Sequence, residues 1–205
     1  MFDESIKKFP NCIEAYTNIA NVLVVKRESN KAIKILNKAI ELNPKYLRTY
    51  SILASIFVSE GNLEKAEFFL RKSLEINPRD INALVNLGCI LKDLGDTKKA
   101  ERFLRDAIEI NPRYEVALTN IGAVLNELEK IDEGEHYLRR ALEINPTSPM
   151  ALNNLGNILS KKKNNKDAEL CYRKAIEVKS DFSLAYSNLG SCLLYTSDAA
   201  DEKRW

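Results

Sequence analysis

The chain has 205 residues, of which 45% are hydrophobic and 29% charged, a composition typical of globular proteins rather than disordered ones. Its 31 basic and 29 acidic side chains nearly cancel, giving a net charge of +2 at pH 7. This balance argues against nucleic acid or an anionic membrane as a partner, because both require a clear basic excess or a basic stripe. No apolar run approaches the roughly 20 residues of a membrane-spanning helix.

A 34-residue period runs through most of the sequence. Its clearest marks are prolines, most of them in Asn-Pro pairs: Pro10, Pro44, Pro78, Pro112 and Pro146. Asn tolerates the left-handed conformation that ends many helices, and Pro cannot continue a helix, so each pair predicts a helix end. Ser180 stands where the next proline would fall.

Five complete repeats follow if each proline is given position 32. They cover residues 13–46, 47–80, 81–114, 115–148 and 149–182, between partial repeats at 1–12 and 183–191. In the first half of each repeat, apolar residues at positions 4, 7 and 11 and a small residue at position 8 form one stripe on a helix. Position 8 carries Ala20, Ala54, Gly88, Gly122, Gly156 and Gly190.

The second half of each repeat predicts another amphipathic helix. Position 24 is large, and it carries Leu36, Leu70, Leu104, Leu138 and Tyr172. Small residues at positions 8, 20 and 27 would let two antiparallel helices approach closely while the large residues fill the gaps. Asn or Asp in the linking turns would cap the second helix. The turn pairs are Gly61-Asn62, Gly95-Asp96 and Ile131-Asp132.

This pattern resembles the tetratricopeptide repeat across residues 1 to about 191. The resemblance implies an all-α fold, a right-handed superhelical α-solenoid of antiparallel helix pairs in which stacking of neighbouring repeats supplies the stability. The departures are small: position 4 is never Trp, position 15 is Gly only at Gly61 and Gly95, and Gly134 replaces the usual Ala at position 20. The resemblance is to arrays of the bacterial type.

Both ends of the sequence look incomplete. Residues 1–12 align with the end of a second helix, so we expect that Met1 is not the natural start. Residues 192–202 resemble the translation of a transposase-type sequencing adapter, and we expect residues 192–205 to be a non-native tail. The alternative is a natural capping helix, since terminal repeats are often atypical.

In tetratricopeptide arrays the first helices line the concave face, so positions 2, 5, 6, 9, 12 and 13 are expected to face a groove. Asn offers both donors and an acceptor, and a row of Asn could hold the main chain of an extended peptide. This row resembles the asparagine-lined groove of the repeat domain of O-linked N-acetylglucosamine transferase. The candidate peptide-binding residues are Asn18, Asn21, Asn86, Thr119, Asn120, Asn153, Asn154, Asn157 and Asn188. Alternatively, Asn-Leu-Gly is simply the commonest form of this repeat.

Another known use of the fold is not expected. Arrays that clamp the C-terminal carboxylate of heat-shock chaperones carry Lys at position 5 and Arg at position 6 of particular repeats. Here position 5 never holds Lys and position 6 never holds Arg. A bound carboxylate would therefore lack a fixed cation.

No motif in the sequence points to catalysis, a cofactor or a metal. The only histidine, His136, falls on a second helix, and the four cysteines lie too far apart for metal-ligand spacing. We therefore expect a non-enzymatic scaffold that binds a protein or peptide, in the cytoplasm. The alternative is a substrate-recruiting region of a larger enzyme, such as a glycosyltransferase, sulfotransferase or methyltransferase.

Overall fold

The computed structural model describes the backbone of residues 11–201 and the side chains of residues 11–194. Within residues 11–201 there are eleven helices and no strand, so the predicted all-α class is confirmed. Most of the predicted partial repeat at 1–12 lies outside the described residues. So do the side chains of the expected tail beyond residue 194.

The helices follow one another along the chain, separated by turns that are alternately three and four residues long. They are α1 (Ile13–Val25), α2 (Ser29–Leu42), α3 (Leu47–Ser59), α4 (Leu63–Ile76), α5 (Ile81–Asp93), α6 (Thr97–Ile110), α7 (Glu115–Glu127), α8 (Ile131–Ile144), α9 (Pro149–Lys161), α10 (Asn165–Val178) and α11 (Ser183–Asp201). Odd-numbered helices correspond to the first helix of a repeat and even-numbered helices to the second. None of those in residues 11–201 is long and apolar enough to cross a membrane.

The chain divides into two compact units, residues 1–94 and 95–205. In the first unit, α1 packs on α2 and α3 on α4, and α2 and α4 each pack on the first helix that follows. In the second unit, α7 pairs with α8 and α9 with α10, while α7, α9 and α11 form a row of neighbouring first helices. Each unit therefore builds its core from helix pairs laid side by side.

The core consists of the residues that the 34-residue period predicted. The large residue at position 24 is buried in every second helix, from fully buried Leu36 to Tyr172 at 2% exposure. The stripe of α11 differs, since Tyr186 is 52% exposed and Leu193 is also exposed. Within residues 11–194 no second helix covers that stripe.

Two close helix approaches depend on glycine at position 8. A Cβ atom built on Gly122 would lie 2.5 Å from Cγ of Leu138, and one built on Gly156 would lie 2.5 Å from Cε1 of Tyr172. Real carbon atoms do not approach so closely, because the repulsion is steep at that distance. The first helix therefore approaches the large side chain of its own repeat more closely than an alanine would permit.

The Asn-Pro pairs end the second helices, as predicted, but the asparagines are not left-handed. Asn77 has φ −133° and Asn111 has φ −136°, both in the extended region. They are extended because the proline ring disfavours helical conformations of the preceding residue. The side chain of Asn77 instead accepts a hydrogen bond of 3.1 Å from the backbone N–H of Arg79.

The turn between the two helices of a repeat has a left-handed residue at position 15. This residue is Arg27, Gly61, Gly95, Glu129 or Lys163, with φ between 59° and 84°. The next residue is the N-cap, and Asn62 and Asp96 cap as predicted by accepting from the backbone N–H of Lys65 and Lys99.

The cap predicted at Asp132 was wrong. Lys130 holds the N-cap position of α8, and Asp132 lies inside the first turn of that helix, where its carboxylate pairs with Nζ of Lys162 at 2.8 Å.

Candidate functional site

The nine candidate residues from the sequence differ in their exposure. Asn18 and Asn86 are exposed, and five others are half-buried: Asn21, Asn120, Asn154, Asn157 and Asn188. Thr119 and Asn153 are buried, at 4% and 3% exposure. Direct contact of these last two with a partner, as the sequence suggested, is therefore wrong. Both occupy position 5 of a first helix, and Asn153 accepts a hydrogen bond from Asn188 of the next first helix.

Several of these side chains make hydrogen bonds within the protein. Nδ2 of Asn120 donates to the backbone carbonyl of Val116, one turn earlier in α7, at 2.9 Å. The hydroxyl of Thr119 donates to Oε1 of Glu115, also at 2.9 Å. By contrast, the amides of Asn18, Asn86 and Asn154 make no side-chain hydrogen bond to any residue that the structure describes.

A cleft of about 250 Å³ lies in the first unit, between α3 and α5 and above α4. We call it the α3–α5 cleft. Its floor is apolar and consists mainly of Ala54, Leu70 and Ile90, while Asn86 and Asp93 of α5 provide polar groups. These side chains meet because α3 and α5 are successive first helices. Positions 6, 9 and 13 of α5 line the cleft opposite positions 8, 9 and 12 of α3.

Most polar groups in the α3–α5 cleft are occupied or inert. The hydroxyls of Ser51 and Ser55 donate to backbone carbonyls of their own helix, at 3.4 Å and 3.0 Å. Burial raises the pKa of the Cys89 thiol to about 11, so the thiol stays protonated and is a poor nucleophile at neutral pH. The Asp93 carboxylate is paired, since its Oδ1 lies 3.1 Å from Nζ of Lys92, and the Asn86 amide makes no hydrogen bond to a described residue.

A second cleft, of about 170 Å³, lies in the second unit between α9 and α11 and above α10. We call it the α9–α11 cleft. It occupies the same positions of the repeat, but Tyr172 replaces leucine at the floor. The Tyr172 hydroxyl donates to Oδ1 of Asn157 at 2.9 Å, and Nδ2 of Asn188 donates to Oδ1 of buried Asn153 at 2.9 Å. Burial raises the pKa of Tyr172, which keeps its hydroxyl protonated and able to donate.

Models of the tetratricopeptide repeat match residues 13–46, 47–80 and 81–114, and a further tetratricopeptide model matches residues 114–181. The chain belongs to the tetratricopeptide-repeat family. Among curated proteins the comparison finds no match.

Solved structures of other tetratricopeptide proteins resemble this one. YrrB, described as a tetratricopeptide protein with an unusual peptide-binding site, is 25% identical, with 91% of this chain and 96% of that chain covered and a TM-score of 0.70. PilF of Pseudomonas aeruginosa is 20% identical, with 91% of each chain covered and a TM-score of 0.71. Cut9 in its assembly with Hcn1 has a TM-score of 0.80 at 18% identity, and this chain spans 38% of its length. At these identities PilF and Cut9 show the fold alone.

Tetratricopeptide repeats are interaction modules that bind protein or peptide partners and are typically non-catalytic. Family membership therefore assigns the general role of a protein-interaction scaffold to this chain. The α3–α5 and α9–α11 clefts both lie along its first helices and contain asparagine side chains.

The second helices of this tetratricopeptide chain carry the main ion pairs of the second unit. Nη2 of Arg105 lies 2.7 Å from Oε1 of Glu101 and 2.6 Å from Oε1 of Glu133, and Nζ of Lys130 lies 2.8 Å from Oε2 of Glu101. Burial acts to raise the pKa of Glu101, but the hydrogen bonds from Lys130 and Arg105 prevail and lower it. These pairs join α6 to α8 and to Lys130, the N-cap of α8.

The sequence did not identify the cleft floors as functional. Position 24 was interpreted as core alone, because periodicity distinguishes buried from exposed positions and not a packed interior from a cleft floor. One signal was available. Among the five complete repeats, Tyr172 is the only aromatic residue at position 24, and it occurs in a repeat with glycine at position 8.

Proposed function

We propose that this chain binds an extended segment of a partner polypeptide along its first helices, with the α3–α5 cleft accepting an apolar side chain. The observation that carries the proposal is the combination of an apolar floor with the Asn86 amide, which makes no hydrogen bond to any described residue. The floor gains from covering apolar surface, and the amide can donate to or accept from the partner's main chain. The description of YrrB as a peptide-binding protein supports this use of the fold.

The partner is expected to be a peptide rather than nucleic acid. The near-neutral charge supports this, since counterion release from a phosphate backbone requires many cationic contacts. The proposal includes no catalytic step. It also places the protein in the cytoplasm, which the four free cysteines support. If the repeats serve a larger enzyme, the same cleft would recruit its substrate.

The proposal can be tested with a phage-displayed library of random dodecapeptides selected against the 205-residue protein. The best peptide is then synthesised with a fluorescent label, and its affinity is measured by anisotropy. Val58 lines the cleft and is 46% exposed, so Val58→Asp would place a carboxylate against the bound apolar side chain. We expect binding to weaken about tenfold or more, because the charge must lose water on binding.

A matched control exists for this substitution. Val178 has the same 46% exposure and stands, like Val58, in the last turn of its helix, but it lies on second helix α10. Val178→Asp should leave the affinity unchanged. Asn86→Ala should weaken binding about threefold to tenfold, the effect of one hydrogen bond, whereas Asn37→Ala on exposed second-helix surface should not. Selected peptides that bind both cleft variants as tightly as the wild type would contradict the proposal.

A further inference from the structure

The α9–α11 cleft contains two side-chain amides whose orientations are set by other residues of the protein. The carboxamide of Asn157 receives the Tyr172 hydroxyl on its oxygen, at 2.9 Å. Its amino group is therefore the free end, and it makes no hydrogen bond within the described residues. Asn188 has the opposite arrangement, because its amino group donates to Asn153 and its oxygen is left without a donor there.

The cleft thus presents one hydrogen-bond donor, from Asn157 on α9, and one acceptor, from Asn188 on α11. A main-chain peptide group has the complementary pair, a carbonyl that accepts and an N–H that donates. An amide free to rotate would offer either end and would lose that freedom on binding. Here a hydrogen bond within the protein already holds each amide before binding, which reduces the entropic cost.

We propose that Tyr172 is a positioning residue that holds the Asn157 amino group toward the cleft, so that Asn157 and Asn188 together bind one main-chain peptide group of an extended partner segment. This inference rests on the proposed function and assigns the two clefts different tasks. The α3–α5 cleft accepts a side chain and selects among sequences, whereas the α9–α11 cleft binds main chain and tolerates any sequence.

The packing around Tyr172 explains why this arrangement occurs at this repeat. The phenol ring is buried against Gly156, where a Cβ atom would lie 2.5 Å from Cε1. Glycine at position 8 therefore makes room for the larger ring, and the ring in turn brings a hydroxyl to the cleft floor. Leucine at the same position, as in Leu70, has no group with which to orient an amide.

The decisive variant is Asn157→Asp. The aspartate keeps an oxygen for the Tyr172 hydroxyl and nearly the same shape, but it replaces the donating amino group with an acceptor. Using the labelled peptide selected against the wild-type protein, we expect the affinity to fall about tenfold or more, since two acceptors would then face each other. Asn37→Asp on α2 adds the same charge at an exposed site and should leave the affinity unchanged.

Tyr172→Phe tests the positioning role itself. It retains the ring and removes the hydroxyl, so the Asn157 amide can rotate, and we expect the affinity to fall about threefold to tenfold. In the Asn157→Asp background the same change should cause no further loss, because no amino group remains to be oriented. If Tyr172 acted only through packing, Tyr172→Phe would lower the peptide affinity equally in the wild-type and Asn157→Asp proteins. Far-UV circular dichroism and urea unfolding confirm that each variant is folded under the binding conditions.

A peptide series tests the Asn188 contact. Each main-chain amide of the selected peptide is replaced in turn by an ester, which removes one N–H. We expect the ester at one position to lower the affinity for the wild-type protein about tenfold. The same ester should not lower the affinity for the Asn188→Ala variant.

The outcomes separate the two proposals. If Asn86→Ala weakens binding while Asn157→Asp and Tyr172→Phe do not, the inference is overturned and the proposed function stands. A library without binders, or peptides insensitive to every cleft variant, would overturn the proposed function and the inference with it.

Discussion

The α3–α5 and α9–α11 clefts occupy the same positions of the repeat but offer a partner different chemistry. In the first, Leu70 and Ala54 form an apolar floor, and in the second, Tyr172 and Gly156 take the same two positions. A Cβ atom on Gly156 would lie 2.5 Å from the ring of Tyr172, so the ring in this position requires glycine at position 8. A compensated pair of substitutions in the core can therefore change the chemistry of a cleft while the helix framework stays the same.

The largest expected effect concerns the apolar floor of the α3–α5 cleft. Leu70 is 1% exposed, so Leu70→Ala removes buried apolar surface and should lower the free energy of unfolding by about 2–5 kcal/mol. Urea unfolding followed by circular dichroism measures this change. The control is Leu170→Ala on α10, where the side chain is about half exposed and the loss should stay within about 0.5 kcal/mol. Equal losses at the two sites would mean that Leu70 is not part of the core.

The second prediction concerns the glycine and tyrosine of the α9–α11 cleft. Gly156→Ala gains helix propensity, but its Cβ atom meets a buried ring, and we expect a net loss of about 1–2 kcal/mol in the free energy of unfolding. Gly190→Ala is the control, since a Cβ atom there meets nothing within 4 Å and the variant should be stabilised or neutral.

The double variant Gly156→Ala with Tyr172→Leu sharpens the comparison further. It recreates the alanine–leucine pair that Ala54 and Leu70 form in the α3–α5 cleft. The clash disappears, so the double variant should be more stable than the sum of the single changes predicts, by about 1 kcal/mol or more in a double-mutant cycle. Strict additivity of the two changes would show that the ring does not depend on the glycine.

The comparison also shows what the sequence could and could not predict. The 34-residue period predicted the helices and their buried residues, because burial of one apolar stripe per helix follows from local spacing. It placed Leu70 and Tyr172 correctly in the core. It did not predict that position 5 would be buried, as at Thr119 and Asn153, because that burial depends on the neighbouring first helix rather than on the helix itself.

The hydrogen bonds of the candidate site were equally beyond local reasoning. Asn188 donates to Asn153, 35 residues earlier, and Tyr172 donates to Asn157, 15 residues earlier and on another helix. The sequence identified the asparagines as polar groups on first helices. Which end of each amide is free depends on contacts between helices, and no spacing within one helix encodes them. The orientation of a side-chain amide is set by its whole network of hydrogen bonds.

The smallest expected effect concerns the turns that lead into the two cleft floors. Gly61 joins α3 to α4 with φ 72°, and Lys163 joins α9 to α10 with φ 61°. A residue with a Cβ atom is strained in this left-handed conformation by roughly 1–2 kcal/mol, and glycine is not. Lys163→Gly should therefore raise the free energy of unfolding by about 0.5–1 kcal/mol, after allowing for the greater freedom of glycine in the unfolded chain.

The reciprocal change, Gly61→Ala, should lower the free energy of unfolding by about 1 kcal/mol, because it imposes on the α3–α4 turn the strain that Lys163 imposes on the α9–α10 turn. Lys166→Gly, three residues further on inside α10, is the control and should lower stability by about 0.5–1 kcal/mol, since glycine is a poor helix former. Thermal unfolding of the three variants measures the signs directly. If Lys163→Gly were to destabilise the protein as Lys166→Gly does, the left-handed position would carry no strain, and the two turns would differ in sequence without differing in energy.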